Sequence, residues 1–289
     1  MSLVLPLVVI VLGGIAGALS ARHMRGHGVP DGTSTASGSP AVARYRRWIA
    51  VGVVAGSVTV VLGVLLLTGP GMGLVLAPAV FAVVVLTTSA LAVATVRPRQ
   101  GARRRAPLDT GTLRSTAGPV HLAVALTTVA VTAGVLVVGI LTGSPDDLGR
   151  PGQAVTVFCA ADDGLHVISS TPWPGIRYSV PLLTVLAICT LIVLGALILA
   201  TKRPVLPDPE ADAAFRGLAG RTVTCTLTFT AAVTGAPIAL GMLSAYPDCA
   251  GTPFFLWAVA AAGVLLVCSA VFAVGQIGAA LTGRILAAR

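Results

Sequence analysis

The sequence predicts an all-α polytopic membrane protein with seven transmembrane helices, N-terminus outside and C-terminus inside. Three observations carry that expectation. The first is composition: 55% of the 289 residues are hydrophobic, 10% are charged, and mean hydropathy is +0.94. Soluble domains carry about 25% charged residues, so a chain this poor in charge cannot cover a water-facing surface. The second is the recurrence of apolar runs long enough to cross ~30 Å of hydrocarbon. The third is the alternation of arginine-rich and arginine-poor connections between those runs.

The runs follow in order. The span 3–19 is the shortest, and Arg22 and Arg25 follow it rather than precede it. A secretory leader has its basic residues first, so this segment reads as an uncleaved span. The Gly/Ser/Thr/Pro-rich stretch 20–47 has no apolar periodicity through its middle and is expected to be a flexible inner loop. It ends on Arg44, Arg46 and Arg47. The second span is 48–68, with Trp48 placed as an interfacial anchor. A glycine-rich turn follows, and then the third span, 74–96.

The segment 97–118 is the densest basic run and includes Arg103, Arg104 and Arg105. Together with Arg44, Arg46 and Arg47, these side chains are expected to contact anionic headgroups at the inner face. The fourth span is 119–142, with Pro119 suited to the first turn of a helix. The fifth, sixth and seventh are 180–201, 222–245 and 254–281. On this plan every basic residue except Arg150 and Arg177 falls in an inner segment. A wrong span count would scramble that alternation.

Between the fourth and fifth spans lies 144–178, a polar segment with an acidic cluster. Two β-prone runs, 153–159 and 165–169, flank an Asp-Gly pair, which predicts a small β-hairpin cap. Trp173, between Pro172 and Pro174, is expected to return the chain to the headgroup level with Tyr178. Of the five cysteines, Cys189, Cys225 and Cys268 fall in spans. Cys159 and Cys249 both fall in outer loops, where an oxidising exterior would permit a disulfide between them.

The spans 3–19, 48–68 and 74–96 have counterparts in 180–201, 222–245 and 254–281. Each triplet opens with a proline near its outer end, Pro6 and Pro181, and each has a long inner loop before a hairpin. The segment 41–46 matches 211–216 in its spacing of alanine, aromatic and arginine. This reads as a 3+1+3 plan with both triplets in one orientation, a parallel repeat. The plan resembles the SWEET sugar transporters in span order and orientation. The Pro-Gln pair of that family is missing and the second span has no proline, so the resemblance covers topology alone.

Chemistry is sparse. Every acidic residue falls in a connection, and no Asp, Glu, Lys or Arg falls mid-span. Intramembrane ionisable groups mark proton relays, ion sites and catalytic centres. Their absence speaks against a proton-driven pump, an intramembrane aspartyl protease and an Asp-rich prenyl transferase. No phosphate-cradling glycine loop is present. The sequence therefore nominates no catalytic, cofactor-binding or metal-ligating residue, and expectation leans away from an enzyme. His121 reads as an interfacial histidine, because it lacks a second ligand at i+3 or i+4. Gln276, the one amide inside a span, is expected to bond to a neighbouring helix. Thr222, Thr226, Thr230 and Thr234 recur every four residues, forming a hydroxyl stripe that either packs helices or lines a polar path with Gln276. Gly52 and Gly56 form a small-residue pair suited to close helix contact.

The basic excess does not indicate nucleic acid, since the arginines sit in short connections. The expected partners are the bilayer with its anionic headgroups and either another membrane protein or a second copy. The leading functional expectation is a non-enzymatic membrane component or accessory subunit. The alternatives are a transporter of a neutral or weakly polar solute and a membrane enzyme acting on a lipid or isoprenoid. The arginine-over-lysine bias and the lack of asparagine suggest a GC-rich bacterial genome, hence a bacterial plasma membrane.

Overall fold

The computed structural model describes residues 39–66, 72–95, 112–161, 164–203, 206, 208–247 and 253–282. Among them are seven helices and one two-stranded sheet: α1 Pro40–Leu66, α2 Met72–Thr95, the short α3 Leu113–Ala117, α4 Pro119–Thr142, β1 Val155–Ala161, β2 Gly164–Ser170, α5 Ile176–Lys202, α6 Pro209–Ala245 and α7 Phe254–Thr282. Six of these helices, all but α3, are long and apolar enough to cross a membrane. The predicted span 3–19 lies outside the described residues, as do Arg103, Arg104, Arg105 and Cys249.

Helix α4 has the predicted bounds, with Pro119 in its first turn after Gly118. Helices α2 and α5 start two and four residues earlier than the sequence reading placed them, and α1 and α6 start much earlier. Helix α1 begins at Pro40, so Arg44, Arg46 and Arg47 stand on a helix rather than in a loop. Helix α6 begins at Pro209, thirteen residues before the predicted start at 222. Its cap is Asp208, whose carboxylate accepts the Glu210 N–H at 3.0 Å. Glu210 and Asp212 in the first turn complement the positive end of the helix dipole. Both starts carry the same sequence signal, a residue of capping type, Ser39 or Asp208, followed by proline at the first helical position.

The bundle is organised around α6, which touches all six other helices. Of its most apolar stretch, 72% is buried, against 28–44% in the other spans. The physical cause is small side chains all round. Gly220 leaves so little space that an added Cβ would strike the Thr116 carbonyl of α3. Gly235 sits where α4 and α7 close in, with Thr132 Oγ1 and Leu266 Cδ1 each 2.8 Å from where a Cβ would stand. Helices α1 and α2 pack similarly: Gly52 meets Thr88 and Gly56 meets Phe81.

Two clusters mark the two ends. At one, Val42, Tyr45, Ile49, Ala92, Val93, Ala200, Phe215, Leu218 and Ala219 form a core. At the other, Val135, Ala239, Met242 and Val259 join Val155, Val157 and Cys159 of the hairpin with Trp173. The hairpin is antiparallel, pairing Val155 with Ser170, Phe158 with Val167 and Ala161 with Gly164. The predicted strands are present, and its acidic tip, Asp162 and Asp163, lies outside the described residues. Trp173 differs from expectation. It is fully buried, and its indole N–H donates to Gly139 O and Thr142 Oγ1, both at 3.2 Å. It packs over the C-terminal end of α4 rather than projecting outward.

Candidate functional site

Three polar groupings lie within the helical bundle among the described residues, and two of them follow from where α6 runs. The largest is at the arginine-bearing end. Asp212, one turn into α6, is buried and accepts Arg203 Nη2 at 2.6 Å and the Leu206 N–H at 3.0 Å through Oδ1. Its Oδ2 accepts Arg216 Nε at 2.7 Å. One carboxylate thus serves two guanidiniums. Arg216 reaches across to Thr201 O at 2.9 Å and caps the C-terminal end of α5, where helix carbonyls lack partners.

The Arg203 guanidinium carbon lies over the Phe215 ring, 4.0 Å from its centre. Burial pushes its pKa down to about 10, partly offset by the Asp212 charge, so it remains protonated at neutral pH. Its Nε and Nη1 are buried without a hydrogen-bond partner among the described residues. The same Phe215 meets Tyr45 of α1 edge-on, with centroids 5.2 Å apart. The Tyr45 hydroxyl is buried facing Ser89 of α2 and Thr222 of α6, without a hydrogen bond of good geometry. Ser89 and Thr222 donate instead to Val85 O and Leu218 O of their own helices. Arg46, next to Tyr45, also has Nε and Nη2 buried without partners among the described residues. Arg44 and Arg47 are exposed.

The second grouping is the threonine rows of α6. Thr222, Thr226 and Thr230 are buried, and their hydroxyls donate to Leu218 O, Thr222 O and Thr226 O at 2.8 Å each. Thr234 is also buried. A second row, Thr224 and Thr228, back-bonds in the same way to Gly220 O and Thr224 O. Two positions apart on a helix is about 200° of rotation, so the hydroxyls occupy both sides of α6. The signal was in the sequence, threonine at every second position from 222 to 230, but a four-residue count catches only one row. Across to α4, Thr132 Oγ1 donates to Ala231 O at 3.0 Å.

The third grouping links α4 and α7. His121 Nε2 and Gln276 Oε1 are 3.2 Å apart, and the imidazole lies 5.7 Å from the Phe272 ring. Gln276 thus bonds to a neighbouring helix, with His121 as its partner. Cys189, Cys225 and Cys268 are free thiols. Sequence reading missed the Arg203–Asp212–Arg216 cluster, because it placed all three residues in a loop. The chain matches no known family model, no curated protein and no solved structure.

Proposed function

We propose that this chain is a non-enzymatic membrane component that packs against a partner protein or a second copy of itself. The observation that supports it best is the outward face of the hairpin. Phe158, Leu165 and Val167 share that face and are more than 60% exposed, on a sheet of two strands whose β2 has no neighbour among the described residues on its far side. Apolar side chains on an open strand edge invite pairing with another chain. Within the spans, the threonine hydroxyls of α6 bond to its own carbonyls, the pattern of a packed interior.

In this reading the chain has seven spans in a bacterial plasma membrane, with the hairpin outside and the arginine-bearing end inside. The two triplets form a 3+1+3 repeat, and a Cys159–Cys249 bridge ties the hairpin to the connection between α6 and α7. Three of the five cysteines are free thiols in helices, which leaves that pair for an outer bridge. Arg44, Arg46, Arg47 and Arg103 to Arg105 contact anionic headgroups.

A photo-crosslinking residue at Phe158, introduced in living membranes, tests the partner reading. The expected result is one discrete adduct, lost when the probe is moved to the buried Val157. A chain that yields no adduct from position 158 and purifies as a monodisperse monomer would count against it. Transport of a neutral solute is the second reading, resting on the threonine rows and the repeat. The back-bonded hydroxyls of Thr226 and Thr230 would offer such a solute only acceptor lone pairs.

A further inference from the structure

We propose that residues 3–19 lie as a helix in a gap between α1 and α7, against a face of α6 that the described helices leave open toward the hairpin end. Around α6 the long helices pack in the order α1, α2, α5, α4 and α7, and α7 and α1 do not close the ring along their length. On α6 itself, Phe229, Val233, Pro237, Leu240 and Ser244 succeed one another at helical spacing on one face. Pro237, Leu240 and Ser244 are exposed, and Phe229 and Val233 are half-buried. The flanks of that face are occupied. Val223 and Leu227 join Ala82 and Leu86 of α2 on one side, and Ala232 and Ala236 join Leu266 of α7 on the other. Higher up, a Cβ added at Gly241 would meet nothing within 4 Å. At the arginine-bearing end the same face is closed. Thr222, seven residues before Phe229, is buried beside Tyr45 of α1, and Ala280 of α7 packs against the cluster that holds Val42 and Tyr45. The gap is therefore wide at the hairpin end and narrow at the other.

Three properties of 3–19 match it. The first is length. The open face 229–244 is about 24 Å long and the segment, the shortest of the predicted spans, about 26 Å as a helix. The second is direction. Arg22 and Arg25 follow residue 19, and the chain must then enter α1 at Pro40, beside Arg44, Arg46 and Arg47. Residue 19 thus belongs at the arginine-bearing end. The third is taper. Residues 3–12 are leucine, valine and isoleucine with one proline, which fill the wide end. Gly13, Gly14, Ala16, Gly17 and Ala18 fall toward the narrow end, where small residues let backbones approach. The alternative occupant is lipid. The placement rests on the seven-span reading given above.

The full chain, carrying an N-terminal tag and a protease site inserted after Gly32, receives a photo-crosslinking residue at Leu240. After irradiation in the membrane, cleavage and denaturing electrophoresis, the tagged fragment should stay attached to the rest of the chain. It should be released when the probe stands instead at Leu191, an exposed position of α5 on the far side of the ring. Gly17→Leu, which adds bulk at the narrow end, should lose most of the adduct. Should the Leu240 variant not accumulate, the probe moves to Val233. A lipid adduct alone at Leu240, or an adduct with the mass of two chains before cleavage, would overturn the proposal. In intact cells the tag should be reached by protease added outside. A tag reached only from the inside overturns the seven-span reading and the placement together. A tag reached from outside, with the fragment released from Leu240, overturns the placement alone. Neither result bears on the partner reading, which is probed at Phe158.

Discussion

Asp212 holds two arginines by its two oxygens, and that makes it the most sensitive single residue at the arginine-bearing end. Replacing it by asparagine leaves Arg203 and Arg216 buried and facing a neutral amide. Breaking one side of a buried ion pair typically costs about 3–5 kcal/mol. Asp212→Asn should therefore lower the resistance of the chain to unfolding in detergent by that order, measured by denaturant titration, while Glu210→Gln on the exposed side of the same turn changes little. At the opposite end Asp146 gives a pH-dependent counterpart. Its carboxylate accepts the Leu148 N–H at 3.1 Å, the Arg150 N–H at 2.8 Å and Arg150 Nε at 2.7 Å. The Arg150 side-chain bond is the largest influence, and it holds the carboxyl below its ordinary pKa. A lowered carboxyl pKa stabilises the turn above the ordinary value, and that contribution is lost as pH falls through the lowered one. Amide exchange at Leu148 and Arg150, corrected for its intrinsic pH dependence, should accelerate on acidification below the ordinary carboxylate range. Arg150→Ala should move the onset to higher pH.

Among the elements, α6 separates what is packed from what is merely polar. Gly235 faces Thr132 and Leu266 across a gap that a Cβ would fill, and a side chain there must push apart α4, α6 and α7. Gly235→Leu should destabilise the bundle strongly, by more than about 3 kcal/mol, because overpacking at a three-helix crossing has no easy relaxation. Thr226→Val changes a back-bonded hydroxyl to a methyl on the same helix and should cost no more than about 1 kcal/mol. Denaturant midpoints of the two variants check the contrast; a similar large loss in Thr226→Val would give the hydroxyl a role beyond its own helix. The hairpin is the element the bundle positions rather than the reverse. Val155, Val157 and Cys159 face the core, whereas β2 is exposed along nearly its whole length. A lone hairpin is marginal in water. Its footing on Ala239, Met242 and Val259 and the Trp173 N–H bond to Gln153 O at 2.9 Å supply the support it lacks alone.

For the whole molecule, the testable statement is sidedness. A water-soluble maleimide applied to intact cells should label a cysteine placed at Leu165 and spare one placed at Lys202, after Cys159 and Cys249 are replaced by serine. Labelling at position 202 alone would invert the proposed orientation. What the sequence determined by itself is the class of object and the bounds of several spans. Apolar runs of sufficient length can hide their backbone polar groups only as helices in lipid, so α4 and α7 are legible almost to the residue. The hairpin is legible for a similarly local reason, since alternation around an Asp-Gly turn suits only paired strands. The starts of α1 and α6 were equally local, in Ser39-Pro40 and Asp208-Pro209, and were overlooked because arginines and acids nearby suggested a solvated loop. What only the tertiary structure decided is which side chains meet. No spacing rule links Tyr45 to Phe215, Arg203 to Asp212 or His121 to Gln276, since those pairings depend on how helices cross. The central place of α6 is of the same kind. A helix rich in threonine, alanine and glycine reads as weakly apolar in isolation, and small, internally bonded side chains become a core only when five longer-sided helices close around them.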